Sequence, residues 1–349
     1  MSLIKLEDHF PMKRYHYMFE ENVKNLKTQE EWISEFRNEM NKYCALIIGE
    51  PYVICRDFDL WSQGSIYRRR TKSSFREIFE RFKYFPYLSD TVQSKRPKLI
   101  LDLWLEWPGH RMVSGEECDP SYSLDPNVFN LYDGPFISKE MACDVGEVDL
   151  QVWLDFIKDI WCGSDGAVFD YVIKWFASIV QNPGVKMNAS LVLKGDIIFG
   201  RDCIIDIITT IIGRQYFIRP FLVDEILGTA NDVLTRKLLI IVNDDYWRKS
   251  ITKTTALRNL LSQKYIIING NGQPPRAIAN RINMIFSGEV DWVSRVGDCS
   301  QKFVTLNLSR KAEKLTMEER SRIKNINIFT VANYLYGVDI SNYNPEDMP

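Results

Sequence analysis

Apolar positions along this chain follow two rhythms, and the rhythm changes near residue 149. In the first part, "TQEEWISEFRNEMNKYCALI" spaces Trp32, Ile33, Phe36 and Met40 as one face of a helix. Residues 1 to about 48 are charged and read as helical, with Thr28 as a cap and Glu31 three positions on. "PYVICRDF" is a short strand candidate. "YRRRTKSSFREIFERFKYF" reads as a basic turn leading into an amphipathic helix, and "PKLILDLWLEWPGHRMV" sets an apolar segment against a Trp-Pro break. Residues 115 to 147 are dense in turn formers and read as an irregular connector.

From Asp149 the texture is that of an α/β domain. "DLQVWLDFIKDIWCG" and "DGAVFDYVIKWFASIVQNP" carry apolar residues at helical spacing, each closed by Gly or Pro. Short apolar runs of strand type follow, separated by helices or turns: "SLVLK", "KLLIIVND", "YIIING", "INMIFSG" and "KFVTLNLS". Such unbroken apolar runs predict a sheet covered on both faces. Trp153, Trp161 and Trp175 fall on the buried faces of the helical pair, so they are expected in a core rather than on a base-stacking surface. The tail is a helix with a polar ending.

Composition narrows the picture. The chain has 349 residues, 45% hydrophobic and 13% aromatic, enough for a sizeable core and more than one domain. A net charge of -2 gives no global field for nucleic acid, so any such contact must come from a local patch. Seven scattered cysteines without a CxxC pair read as reduced thiols, and the three histidines His9, His16 and His110 stand apart from any cysteine pair, against a zinc site. No signal-peptide core or membrane-length apolar run is visible, which predicts a soluble, cytoplasmic protein.

The candidate chemistry lies in "LVLKGDIIFGRDCIIDIITTIIG". Gly195, four residues, then Gly200 is the spacing of a phosphate-binding loop, with a helix expected from about Arg201. The residue types depart from it. Arg201 and Asp202 stand where Lys and Ser or Thr would hold the outer phosphates and magnesium. Ile197, Ile198 and Phe199 are bulky where the cradle favours small residues. Downstream, "RKLLIIVNDDYW" ends an apolar strand in Asp244 and Asp245, the place of a metal-binding and water-activating pair or of two acidic turn residues. "INMIFSGEVDW" ends a further strand in Ser287-Gly288.

The ordered series of these segments, with the tail "FTVANYLYGVDISNYNPEDMP" and the upstream "ILDLWLEWPGHRMVSGEECDP", resembles the superfamily 3 helicase domain of phage and virus primase–helicases over residues 98 to 349. The resemblance implies an AAA+-like fold, hexameric rings on DNA, and a position C-terminal to a primase or polymerase domain. It also implies what is missing. Gly288 falls at the family's sensor Asn, and Gln301 and Lys302 fall in the run that carries its arginine finger. That finger alone is worth about three to five orders of magnitude in rate. A β-hairpin ahead of the sensor strand is implied by "KYIIINGNGQPPRAIANRINMIF", with Asn269, Asn271, Gln273 and Arg276 near its tip either as weak phosphate contacts or as part of a solvent-exposed turn. The run Arg68, Arg69, Arg70 and Lys72 is either an exposed charged turn or a second site for DNA backbone or an acidic partner.

The expected organisation is a mostly helical region over 1–97, a connector over 98–147, a helical neck over 148–185, and an AAA+-like domain with a degenerate phosphate loop over 186–349. The expected function is that of a helicase-like ring region of a phage primase-polymerase. Such a region assembles with itself, encircles single- or double-stranded DNA and serves a primase, polymerase or other replisome partner in an infected host cell. No cofactor is expected and little or no ATP is hydrolysed. The alternative is a slow ATP- and magnesium-dependent helicase using Arg201, Asp244 and Asp245; a third reading is an initiator or adaptor working through protein contacts.

Overall fold

The computed structural model describes residues 26–59, 64–142, 147–195, 198–243, 253–270, 274–288 and 302–349. The chain forms two compact units, and its backbone passes between them more than once: residues 1–117 and 123–131 make the first, residues 118–122 and 132–349 the second.

In the first unit, helix α1 (Leu26–Tyr43) runs straight into strand β1 (Cys44–Ile47). The segment "CALI", expected to prolong the helix, is therefore a strand, and Thr28 lies inside α1 rather than capping it. Strands β2 (Tyr52–Asp59) and β3 (Gly64–Thr71) complete an antiparallel meander with β1. The short β4 (Met112–Val113) adds to β1 in parallel, giving the order β3-β2-β1-β4. The arginine run thus belongs to a strand, not a turn. Thr71 ends that strand and caps helix α2 (Lys72–Phe79), its hydroxyl accepting the Ser74 N–H at 3.1 Å. Trp32, Phe36, Val53, Phe75, Phe79 and Trp104 fill the core beneath the sheet.

The second unit opens with helix α3 (Glu147–Phe156), continued as a π-turn over Ile157–Trp161. Helix α4 (Gly166–Gln181) follows, capped by Asp165, whose carboxylate accepts the N–H groups of Ala167 and Val168. Next in chain order come β5 (Ala189–Lys194), α5 (Ile198–Ile212), β6 (Phe217–Ile218), β7 (Leu239–Asn243) and α6 (Thr254–Ser262). A hairpin of β8 (Tyr265–Ile268) and β9 (Arg276–Ala279) leads to β10 (Asn283–Gly288), β11 (Lys302–Asn307) and helix α7 (Ile328–Gly337). Strands β6, β7, β10, β5 and β11 lie in that order as one wholly parallel sheet.

Successive residues of a strand face opposite sides, and here both sides are covered. Leu191, Leu193, Ile241, Ile285 and Leu306 pack one face against α4, α5 and α7. Val192, Ile240, Val242, Met284 and Phe286 pack the other against α6 and the hairpin. Trp153, Trp161 and Trp175 are fully buried in the first of these cores, as the helical spacing predicted, and the Trp175 indole N–H donates to the Ala189 carbonyl at 3.1 Å.

The approach to β5 is pinned by buried polar groups at the amino ends of the strands. The Asn283 side chain accepts the Met187 N–H at 2.8 Å and donates to the Val185 carbonyl at 3.0 Å. Beside it, the Lys186 ammonium donates to the carbonyls of Ile282 (2.8 Å) and Leu260 (3.2 Å), and burial lowers its pKa to about 8. Asn283→Ala orphans the buried Met187 N–H and the part-buried Val185 carbonyl, a buried group left unpaired costing about 1–3 kcal/mol. Urea unfolding of the variant is expected to show a loss of about 2–4 kcal/mol, with an unchanged midpoint contradicting this role.

Candidate functional site

In an open parallel sheet, ligands bind outside the carboxyl ends of the strands, where neighbouring strands send the chain in opposite directions. Here that point lies between β5 and β10: the chain leaves β5 toward β6 and β7 on one side, and leaves β10 toward β11 on the other. Gly195, directly after β5, and Gly288, the last residue of β10, both lie in the left-handed region, at φ +129° and φ +116°. Lys194 pairs with Gly288 across the ladder. Asn243, the last residue of β7, pairs with Ser287, whose hydroxyl donates to the Val242 carbonyl at 3.1 Å. The strands leading to Gly195, Ser287-Gly288 and Asn243 thus lie side by side, with their carboxyl ends at one edge.

At Gly195 the positive φ is the conformation only glycine adopts cheaply, and a Cβ there would stand 3.5 Å from that of Leu308. Helix α5 starts at Ile198, three residues before the expected Arg201. Gly200 is thus inside the helix, not the last residue of a loop, because a bulky Ile-Phe pair is at home in right-handed backbone and unsuited to a glycine-like cradle.

Arg201 and Asp202 form an ion-paired cluster with residues further along. The Arg201 guanidinium, 10% exposed, donates through Nε to the Asp202 carboxylate at 3.2 Å. Arg219, just past β6, reaches the same carboxylate at 3.6 Å and the Asp206 carboxylate at 2.7 Å. Asp202 and Asp206 are four residues apart, one above the other on α5. Two guanidinium groups that could meet phosphate oxygens are thus already matched by two carboxylates. The residues do not fit a magnesium–triphosphate group, because Asp202 sets a negative charge within reach of both cations. Cys203 on the same helix is pushed up to about 11 by burial, reinforced by Asp206, and is an unreactive thiol at neutral pH. Among the described residues no cluster of three His, Cys, Asp or Glu side chains could hold a metal ion.

Asp244, Asp245, Asn271, Gln273 and Gln301 lie outside the described residues. Lys302 opens β11 opposite Ala189, at the amino ends of the strands and thus the far end of the sheet from Gly195. The hairpin expected ahead of the sensor strand is present as β8 and β9, with Ile268 opposite Arg276. The Asn269 N–H is taken by Asn231 at 2.8 Å, and Arg276 donates to the Thr235 hydroxyl at 3.0 Å.

The arginine run is not a free basic patch. Arg69, 10% exposed, is held by Glu116 at 2.7 Å and Glu50 at 3.0 Å. Arg68 and Arg70, on the opposite face of β3, share Asp57. Three cations so matched offer a DNA backbone little net charge. Sequence reading located Arg201 and Asp202 but missed their partners. Asp206 was signalled by its four-residue spacing from Asp202, whereas Arg219 carries no local signal, since only the fold brings it to α5.

The fold is an α/β domain built on a wholly parallel sheet, with an ion-paired cluster of Arg201, Asp202, Asp206 and Arg219 beside its carboxyl ends. The chain has the fold of the NrS-1 C-terminal region. An A-form apo structure of that region, residues 305–718, matches with a TM-score of 0.63 at 16% identity, over 88% of this chain and 68% of the other. A second apo structure matches with a TM-score of 0.62, also at 16% identity, over 94% and 73%. JCV helicase is a more distant likeness, with a TM-score of 0.38 at 14% identity over 57% of each chain. No family model matches the chain, and no curated protein matches it. Among the described residues, no helix is long and apolar enough to cross a membrane.

Proposed function

We propose that this chain is the helicase-like ring region of a phage replication protein of the primase-polymerase type, assembling with itself around DNA and hydrolysing little or no ATP. One observation carries the reading. In a domain with the fold of the NrS-1 C-terminal region, the phosphate-loop position holds Asp202 between Arg201 and Arg219. Catalysis of phosphoryl transfer is almost entirely positioning and charge stabilisation, so a seat with its cations already paired has lost the means of both. What the domain keeps is shape: a parallel sheet, a hairpin packed on one face and a helical layer on the other, the parts from which a ring is built. Its role is then to hold a tethered polymerase or primase on DNA, in an infected host cell. The ion-paired arginines of β3 leave DNA contact to the assembled ring rather than to a single cationic patch.

Particle mass in solution, measured with and without a single-stranded oligonucleotide and with no nucleotide present, tests this. The expected result is a closed oligomer that retains the oligonucleotide. A monomer that neither assembles nor binds DNA contradicts the reading, and an oligomer without DNA affinity supports an adaptor instead.

A further inference from the structure

Cys44 and Cys55 stand apart in the sequence, yet the β1–β2 register sets them directly opposite each other. The hydrogen bonds on either side show which kind of opposite pair they form. Leu46 and Ile48 donate to the carbonyls of Arg111 and Val113, on the β4 side of β1. Cys44 has the same parity, so its backbone also turns away from β2. The Pro51 carbonyl, just before β2, accepts the Lys72 N–H on the β3 side, and Cys55 shares its parity, so its backbone turns toward β3. The two cysteines are therefore a non-hydrogen-bonded pair, the closer of the two kinds, with Cα atoms about 4.5 Å apart. A disulfide spans Cα separations of about 4.4–6.8 Å, and this pair falls within that range.

Both side chains point into the core of the first unit, 2% and 0% exposed, with Val53, Phe75 and Trp104 in the same cluster. Burial raises both thiols, Cys55 to about 12, and the neighbouring Cys55 sulfur raises Cys44 further. A dry core disfavours thiolates, whereas a disulfide carries no charge and has no proton to lose, so the core accommodates the oxidised form. Access comes from the strand end. Cys44 opens β1, and β4 pairs only with Leu46 and Ile47, so among the described residues β2 is the one strand beside it. Strand ends held on one side open locally at low cost. Cys118, Cys162 and Cys203, the other described cysteines, lie outside the strands and face no cysteine across a ladder.

We propose that Cys44 and Cys55 form a redox-modification site, closing to a cross-strand disulfide on reaction with a peroxide and reopening with a dithiol reductant. One sulfur attacks the O–O bond, becoming a sulfenic acid and releasing one water. The other sulfur then displaces the remaining oxygen as a second water. Two S–H bonds and one hydrogen peroxide thus give one S–S bond and two waters, with two electrons passing from sulfur to oxygen. The bond clasps β1 to β2 where α1 runs into the sheet. The site is independent of the proposed function, because both residues belong to the first unit and neither lies at the ends of the parallel sheet.

Peptide mass spectrometry on the full chain tests this. The native protein is treated with hydrogen peroxide, then unfolded in urea, alkylated with iodoacetamide and cut with trypsin. Cleavage after Lys42 and Arg56 leaves both cysteines on one peptide, Tyr43–Arg56, and oxidation of Met317, 80% exposed, reports that the peroxide has acted. The register predicts that this peptide takes up no alkyl group and weighs about 2 Da less than its dithiol form, and that dithiothreitol before alkylation restores both alkyl groups. Four results would each overturn the proposal. They are a doubly alkylated Tyr43–Arg56 peptide once Met317 is oxidised, sulfinic or sulfonic acid there in place of a bridge, a bridge from either residue to a third cysteine, and an equal loss of alkylation at Cys118, Cys162 and Cys203.

Discussion

Raising the pH above about 9 in the presence of reductant is expected to unfold both units of this protein well before pH 12. Burial pushes the thiols of Cys55, Cys118 and Cys162 up to about 12 from an ordinary value of 9.0, and drives Cys44 in the same direction. A folded-state pKa above the unfolded one means that the folded chain keeps a proton the unfolded chain releases. The stability tied to that proton is complete below pH 9 and is lost as the pH climbs toward 12. One pKa unit corresponds to about 1.4 kcal/mol, so each of these three thiols withdraws about 4 kcal/mol over the window. Against a typical total of about 5–15 kcal/mol, two or three such groups decide the outcome.

Tyr132, Tyr216 and Tyr343 are raised by burial as well and add to the loss above pH 10. Lys186 acts in the opposite sense. Its folded pKa is lowered to about 8, so from there to 10.5 the unfolded chain holds a proton that the folded chain lacks, and this contribution to stability rises with pH. Urea midpoints from pH 7 to 11.5 should therefore hold or rise slightly up to pH 9 and then fall steeply. A combined Cys55→Ala, Cys118→Ala and Cys162→Ala variant, less stable at pH 7, should show a shallower alkaline fall. A wild-type midpoint that is level through pH 11.5 would contradict the burial of these thiols.

The parts of this architecture that the sequence revealed are those whose burial is local and repetitive. The three central strands of the parallel sheet, β5, β7 and β10, are covered on both faces, so "SLVLK", "KLLIIVND" and "INMIFSG" read as unbroken apolar runs. Helix α4 was visible because its apolar residues recur at helical spacing and Pro183 closes the run. In the first unit α1, β2 and α2 were legible, and two signals fail for physical reasons. "YRRRT" has no apolar alternation, because β3 satisfies its cations with Glu50, Glu116 and Asp57 from other segments. "CALI" continues the apolar spacing of α1, and its pairing with β2 and β4 makes it a strand.

The same division runs through the candidate site. A carboxylate at the magnesium-binding hydroxyl position is plain in the sequence. That it is clasped by Arg201 and by Arg219, from beyond β6, is a fact of tertiary structure. The meeting of Cys44 and Cys55 is less legible still. No motif links them in the sequence, and only the register of β1 on β2 sets them face to face.

The claim on which the functional account turns is that the motor's shape has outlasted its fuel chemistry, and magnesium–ATP calorimetry on the full chain measures it directly. The account predicts heats no larger than dilution up to about 1 mM nucleotide, a ceiling of roughly -4 kcal/mol on binding. Saturable, magnesium-dependent binding with a Kd near 1 μM, roughly -8 kcal/mol, would mean that Arg201 and Arg219 release Asp202 for a phosphate, and would contradict it.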